Sequence, residues 1–146
     1  MTASELITND IPALQATDTV RQALDLMEEH RVTELPIVNQ HNYLGLITEE
    51  AAGHADERAP VSVLLNKGVP VQVNPADFFL VPLKIMHQQK LSLLPVVRED
   101  GELLGIITRE QLLHAASNYN AAHEPGGIII LQIKPTSFYI SEIGRL

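Results

Sequence analysis

"YLGLITEE", residues 43–50, and "LLGIITRE", residues 103–110, are nearly the same phrase in one chain of 146 residues. Each is an apolar run that ends in a threonine, Thr48 or Thr108, followed by charged residues. From residue 44 and residue 104 onward the two agree at five of seven positions. Upstream, "ALDLMEEHRVTELPIV" (23–38) aligns with "PLKIMHQQKLSLLPVV" (82–97). Met27 and Met86, and Leu35 and Leu94, are each 59 residues apart (86 − 27 and 94 − 35). The offset becomes 60 after one extra residue in the second turn. The chain is therefore an internal duplication, and its fold is read one repeat at a time.

Each repeat opens with an extended lead, "IPALQA" or "VPVQVN", and a capping residue: Thr17 or Asp18 in the first copy, Asp77 in the second. Val20, Ala23, Leu24 and Met27 follow at helical spacing and give one apolar face. "LPIV" and "LPVV" read as short strands whose prolines belong at a strand start or edge, where no ladder N–H is lost. A polar turn, "EDG" in the second copy, leads to the strand "YLGLIT" or "LLGIIT". A second helix starts after the threonine, weak over "EEAAGHA" with Gly53 inside it and strong over "REQLLHAASNY". Pro82 sits early in the second repeat's first helix, where it removes a hydrogen bond or forces a late start. Phe78 and Phe79 before it act as an aromatic plug or as ordinary core. Neither unit of helix, strand, strand and helix covers both faces of its sheet alone, which explains why there are two.

At 45% hydrophobic residues the chain can bury a core. No apolar run approaches the roughly 20 residues of a membrane helix. The first ten residues lack a secretory pattern, and there is no cysteine for disulfides or thiol chemistry. A cytoplasmic location is expected. The net charge of −8, with ten Lys and Arg and no basic run, argues against nucleic acid. It also gives no long-range attraction to anionic nucleotides, so a nucleotide site would need local donors. The six histidines form no H-x-x-x-H pair, and there is no glycine-rich phosphate loop, so neither a metal site nor an enzyme is expected.

The duplicated order of capping Asp, Leu-x-x-Met helix, "LPIV" and "GLIT" resembles a tandem pair of CBS domains over residues 1–118. The resemblance implies an α/β (α+β) fold of two pseudo-symmetric repeats, 1–60 and 61–120, each a small β-sheet packed with two helices. It further implies a regulatory module that binds an adenosyl ligand between the repeats: AMP, ATP, an NAD derivative or S-adenosylmethionine. No resident cofactor is implied, and two pairs commonly form a disc-shaped homodimer. Ligand-facing positions would be Ile7 and Thr8 in "LIT" (6–8) and Leu65 and Asn66 in "LLN" (64–66), the segments that open each repeat beside the ligand. Thr33, Glu34 and Pro36, with Ser92, Leu93 and Pro95, would flank the base. Thr48 and Glu50, with Ile107, Thr108, Arg109, Glu110 and Gln111, would reach ribose and phosphate. The family pattern places a ribose-binding Asp three residues after each threonine, and here those residues are Ala51 and Gln111. Two readings of the threonines remain: ligand contacts, or helix caps, with Thr108 and Gln111 forming a capping box.

The tail "AAHEPGGIIILQIKPTSFYISEIGRL" (121–146) lies outside the repeat. Its turn, apolar strand and helix resemble the opening of an ACT-type regulatory domain that the chain does not complete. The other reading is a segment that packs on the CBS pair or on another protomer.

Overall fold

The computed structural model describes residues 1–67 and 71–123. Helix α1 (Val20–His30) starts from Thr19, not from Thr17 or Asp18. The Thr19 hydroxyl accepts from Gln22 N at 3.2 Å, and Gln22 Oε1 accepts from Thr19 N at 2.8 Å. Both are donors that the first helical turn leaves unserved. The two aspartates do equivalent work one step earlier. Asp18 accepts from Gln15 N at 2.9 Å and Asp77 from Asn74 N at 3.0 Å, closing the turn before each helix. Val20, Ala23 and Met27 are buried as the spacing predicts, and Leu24 is half-buried. The helix ends at Arg31, in the left-handed region at φ 57°, and Val32 N reaches back to Met27 O. Buried Val32 then seals the end against the core.

Strand β1 (Leu14–Gln15) pairs in parallel with β2 (Glu34–Asn39), which pairs antiparallel with β3 (Asn42–Thr48). Helix α2 (Glu49–Gly53) is a short piece of five residues, as the glycine-containing sequence suggested. The second repeat has α3 (Leu80–Gln89), β4 (Leu93–Val97), β5 (Leu103–Thr108) and α4 (Arg109–His123). Strands β4 and β5 pair antiparallel, and Val73 bridges Val96 in parallel where Leu14 meets Ile37 in the first copy. Helix α3 starts late, at Leu80, so Pro82 falls in its first turn, where no intrahelical acceptor awaits its nitrogen. Phe79 takes the core position of Val20, while Phe78 is 40% exposed. Residues Met1–Leu112 form one unit. In the second, Leu113 onward, α4 continues to His123 with His114 Nε2 and Asn118 Nδ2 2.9 Å apart. The segment read as an ACT-type opening lies outside the described residues. Among the described residues no helix is long and apolar enough to cross a membrane.

The prolines fit the edge reading and not the strand-start one. Pro36 and Pro95 are each the third residue of a buried strand, opposite Leu46 and Ile106. Neither disrupts a ladder, because its nitrogen faces the short parallel edge. Val73 N donates to Pro95 O and Val97 N to Val73 O, so residue 95 would serve the Val71 carbonyl if it had an N–H. The Tyr43 hydroxyl donates to that carbonyl instead, at 2.8 Å. A side chain of the first repeat thus completes the sheet of the second.

The opening segments, residues 1–8 and 59–66, are exchanged between repeats, whereas the extended leads pair within their own repeat. Thr8 N donates to Ile106 O at 2.8 Å and Ile106 N to Thr8 O at 3.2 Å, which lays the first opening segment on β5 of the second repeat. Ala3 N and Ser4 N donate to Asp77 O and Pro75 O, while Val61 N and Ser62 N donate to Asp18 O and Ala16 O. Residues 1–8 therefore serve the second half as residues 59–66 serve the first. Gly105 is required by this crossing: a Cβ there would overlap Ile7 Cγ2 and lie 3.1 Å from the Thr8 carbonyl oxygen. At the opposite end Tyr43 N donates to Gly101 O and Leu103 N to His41 O, joining the two hairpins.

Candidate functional site: two strand-to-helix corners and the junction between them

The second corner is built by the end of β5 and the start of α4. Thr108 is the cap. Its hydroxyl accepts from Gln111 N at 3.3 Å, and Gln111 Oε1 accepts from Thr108 N at 2.9 Å and lies 3.1 Å from Thr108 Oγ1. The capping box read from the sequence is formed. The amide oxygen that would take the place of a ribose-binding carboxylate is therefore already engaged. The Arg109 guanidinium is exposed but anchored, with Nη2 donating to Leu91 O at 2.7 Å. Glu110 is exposed beside it.

The first corner is barer. Thr48 accepts from Ala51 N at 3.2 Å and has no reciprocal partner, as its sequence implied. Glu50 is exposed. Of the two opening segments, Ile7 and Thr8 cross β5 near Gly105 and Ile106, while Leu65 approaches Gly45 of β3, 3.3 Å from where its Cβ would be. Asn66 is exposed, and Pro36, Pro95, Leu93 and Ile107 are buried in their strands. The structure thus brings Ile7 and Thr8 to the second repeat's sheet and Leu65 to the first's.

Thr33, Glu34 and Ser92 meet between the repeats. Ser92 N and Ser92 Oγ donate to Glu34 Oε1 at 2.9 and 2.5 Å, and Thr33 Oγ1 donates to Glu34 Oε2 at 2.6 Å. Thr33 N donates to Ser92 Oγ at 3.1 Å. Glu34 is 4% exposed, the one buried charged residue among those described. Burying a carboxylate is costly, and three donors, two from the other repeat, offset that cost. The resemblance implies that these residues flank a ligand base; in the structure they bind one another. The available signal was a charge in "TELPIV" where the second copy has an apolar residue, Leu93. Tyr43 was missed altogether. Burial raises its phenol well above the ordinary value, so it stays protonated and a donor.

The sequence pattern of the CBS domain matches residues 3–52 and again 67–118. A homoserine O-acetyltransferase from Methanocorpusculum labreanum is 30% identical over 115 residues, 77% of this chain and 23% of that protein. The chain spans about a quarter of the length of the first curated relatives it matches. A CBS domain pair/ACT domain protein from Thermotoga maritima shares the fold, with a TM-score of 0.72 at 24% identity over 81% of this chain and 98% of that one. So does CBSX2 of Arabidopsis thaliana in complex with AMP, with a TM-score of 0.67 at 22% identity over 82% of this chain and 98% of that one. With both of its repeats matched and the paired fold shared, the chain belongs to the CBS domain family, as a tandem pair.

Proposed function

We propose that this chain is a non-catalytic regulatory module that binds an adenosyl ligand at the second strand-to-helix corner. The candidates are AMP, ATP, an NAD derivative and S-adenosylmethionine. The observation that carries the reading is that corner itself. Thr108, Arg109 and Gln111 stand together at one strand end, with a single exposed guanidinium suited to phosphate. AMP in the complex of CBSX2, which shares the fold, supports it. In this reading Ile7, Thr8, Ser92, Ile107 and Glu110 line the same cleft. Thr33, Glu34, Thr48, Glu50, Leu65 and Asn66 belong to its weaker mate. Repeats 1–60 and 61–120 act as the two halves, residues 121–146 open an ACT-type domain, and two chains pair in the cytoplasm as a homodimer.

The absent carboxylates set the strength. Hydrogen bonds to a charged group are worth roughly 1.5–3 kcal/mol, so binding is weaker by about 10- to 100-fold than with an Asp in place. The test is calorimetric titration of the whole chain with AMP, ADP, ATP, NADH and S-adenosylmethionine, on the wild type and on Gln111→Asp. Saturable binding of one ligand, strengthened about tenfold or more by the new carboxylate, supports the module. A second reading is an assembly module with degenerate clefts. It is favoured by Ala51 and by the engaged Gln111 oxygen. Silence of both proteins toward all five ligands selects it.

A further inference from the structure

We propose that Glu34 is the key of a one-sided lock between the two repeats, through which the two strand-to-helix corners are coupled. Thr33 and Ser92 are pseudo-symmetric mates, 59 residues apart, and so are Glu34 and Leu93. The first pair shares hydrogen-bonding chemistry; the second does not. A carboxylate at both positions would bury two like charges beside the same two hydroxyls. A leucine at both would leave those hydroxyls and the Ser92 amide without their acceptor. One of each satisfies the junction: Glu34 accepts from Ser92 N, Ser92 Oγ and Thr33 Oγ1, while Leu93 is fully buried in the core. No cationic side chain pairs with Glu34 among the described residues, so the donors alone hold it.

The lock is continuous with both corners through the backbone. Thr33 O accepts from Glu49 N at 2.8 Å, and Glu49 is the first residue of α2. Ser92 O accepts from Arg109 N at 3.2 Å, and Arg109 is the first residue of α4. Each residue that grips Glu34 thus also holds the first amide of its own repeat's second helix. A displacement of either helix start pulls on a residue that cannot move without straining the bond to Glu34. The lock makes the angle between the repeats and the geometry of both corners one cooperative property. This needs no ligand, so it stands or falls separately from the functional reading above.

The test reads orientation directly. Spin labels on Glu28→Cys of α1 and Lys84→Cys of α3, both exposed, report the distance between repeats in a chain with no cysteine of its own. The wild type gives one narrow distance. Glu34→Leu, which copies the other repeat, loses it and gives a broad distribution. Glu34→Gln, whose amide oxygen accepts from Ser92 and whose NH2 donates to Thr33 Oγ1, keeps it. Hydrogen exchange in Glu34→Leu shows the Glu49 and Arg109 amides losing protection together. A Glu34→Leu distance as narrow as the wild type's overturns the lock, and loss of protection at only one corner overturns the coupling. If Glu34→Leu does not fold, Ser92→Ala is read the same way from the opposite side, with the same outcomes.

Discussion

Gly45 and Gly105 occupy the same position in the two copies of "LG[LI]IT", yet alanine should be tolerated at one and not at the other. At Gly105 a Cβ would overlap Ile7 Cγ2 and stand 3.1 Å from both Thr8 O and Asn9 Oδ1. The Ile7 methyl group branches at Cβ, where few χ1 rotamers are allowed, so side-chain rotation relieves the overlap only at a cost. Otherwise the opening segment must lift, and with it go the two hydrogen bonds between Thr8 and Ile106. At about 1 kcal/mol for each bond plus about 1–3 kcal/mol of overpacking strain, Gly105→Ala should cost about 3–5 kcal/mol. At Gly45 the one close atom among the described residues is Leu65 Cδ2 at 3.3 Å, the free end of a flexible side chain. Gly45→Ala should therefore cost less than about 1 kcal/mol. Urea unfolding of the two variants measures the difference, and the Ile106 amide, which donates to Thr8 O, should lose exchange protection in Gly105→Ala alone. Ile7→Ala combined with Gly105→Ala should recover part of the loss, since it removes the overlapping methyl. Equal losses at the two glycines, or no recovery in the double variant, would refute the exchanged-segment reasoning.

Tyr43→Phe leaves the Val71 carbonyl without the donor that Pro95 cannot supply, and should cost about 1–3 kcal/mol in denaturant unfolding. The same tyrosine predicts a pH effect. Its folded pKa is raised, so its contribution is fully present below the unfolded value near 10 and falls above it, where only the unfolded chain sheds the proton. Wild type should therefore lose stability at high pH more steeply than Tyr43→Phe, as followed by alkaline thermal melts. Thr108→Ala removes half of a capping box and should destabilise by about 1 kcal/mol. Thr48→Ala, with no reciprocal bond to lose, should cost less, and paired thermal melts test the order. Lys90 closes α3 at φ 57°, so Lys90→Gly should raise the unfolding midpoint by relieving up to about 1–2 kcal/mol of left-handed strain.

Much of this molecule is visible in its sequence because the determinants are local. The apolar face Val20–Ala23–Met27, the two hairpins and the Thr108–Gln111 box all involve residues close in sequence. Periodicity and spacing report such contacts directly. The errors were also local and small: Thr19 rather than Thr17 or Asp18 caps α1, because adjacent polar residues compete and only the turn geometry chooses between cap and turn closure. Three features needed the tertiary structure. Pro95 sits inside a buried strand because a phenol from the other repeat serves the carbonyl it cannot. The opening segments reach the opposite repeat's sheet, Thr8 on Ile106 and Leu65 against Gly45, a choice that no spacing encodes. Glu34, which in sequence is one charge ahead of an apolar run, joins the repeats because their packing brings it into contact with Ser92, 58 positions away. The sequence alone determined what each repeat is; the packing of one repeat on the other decided which of its polar groups remain available to anything else.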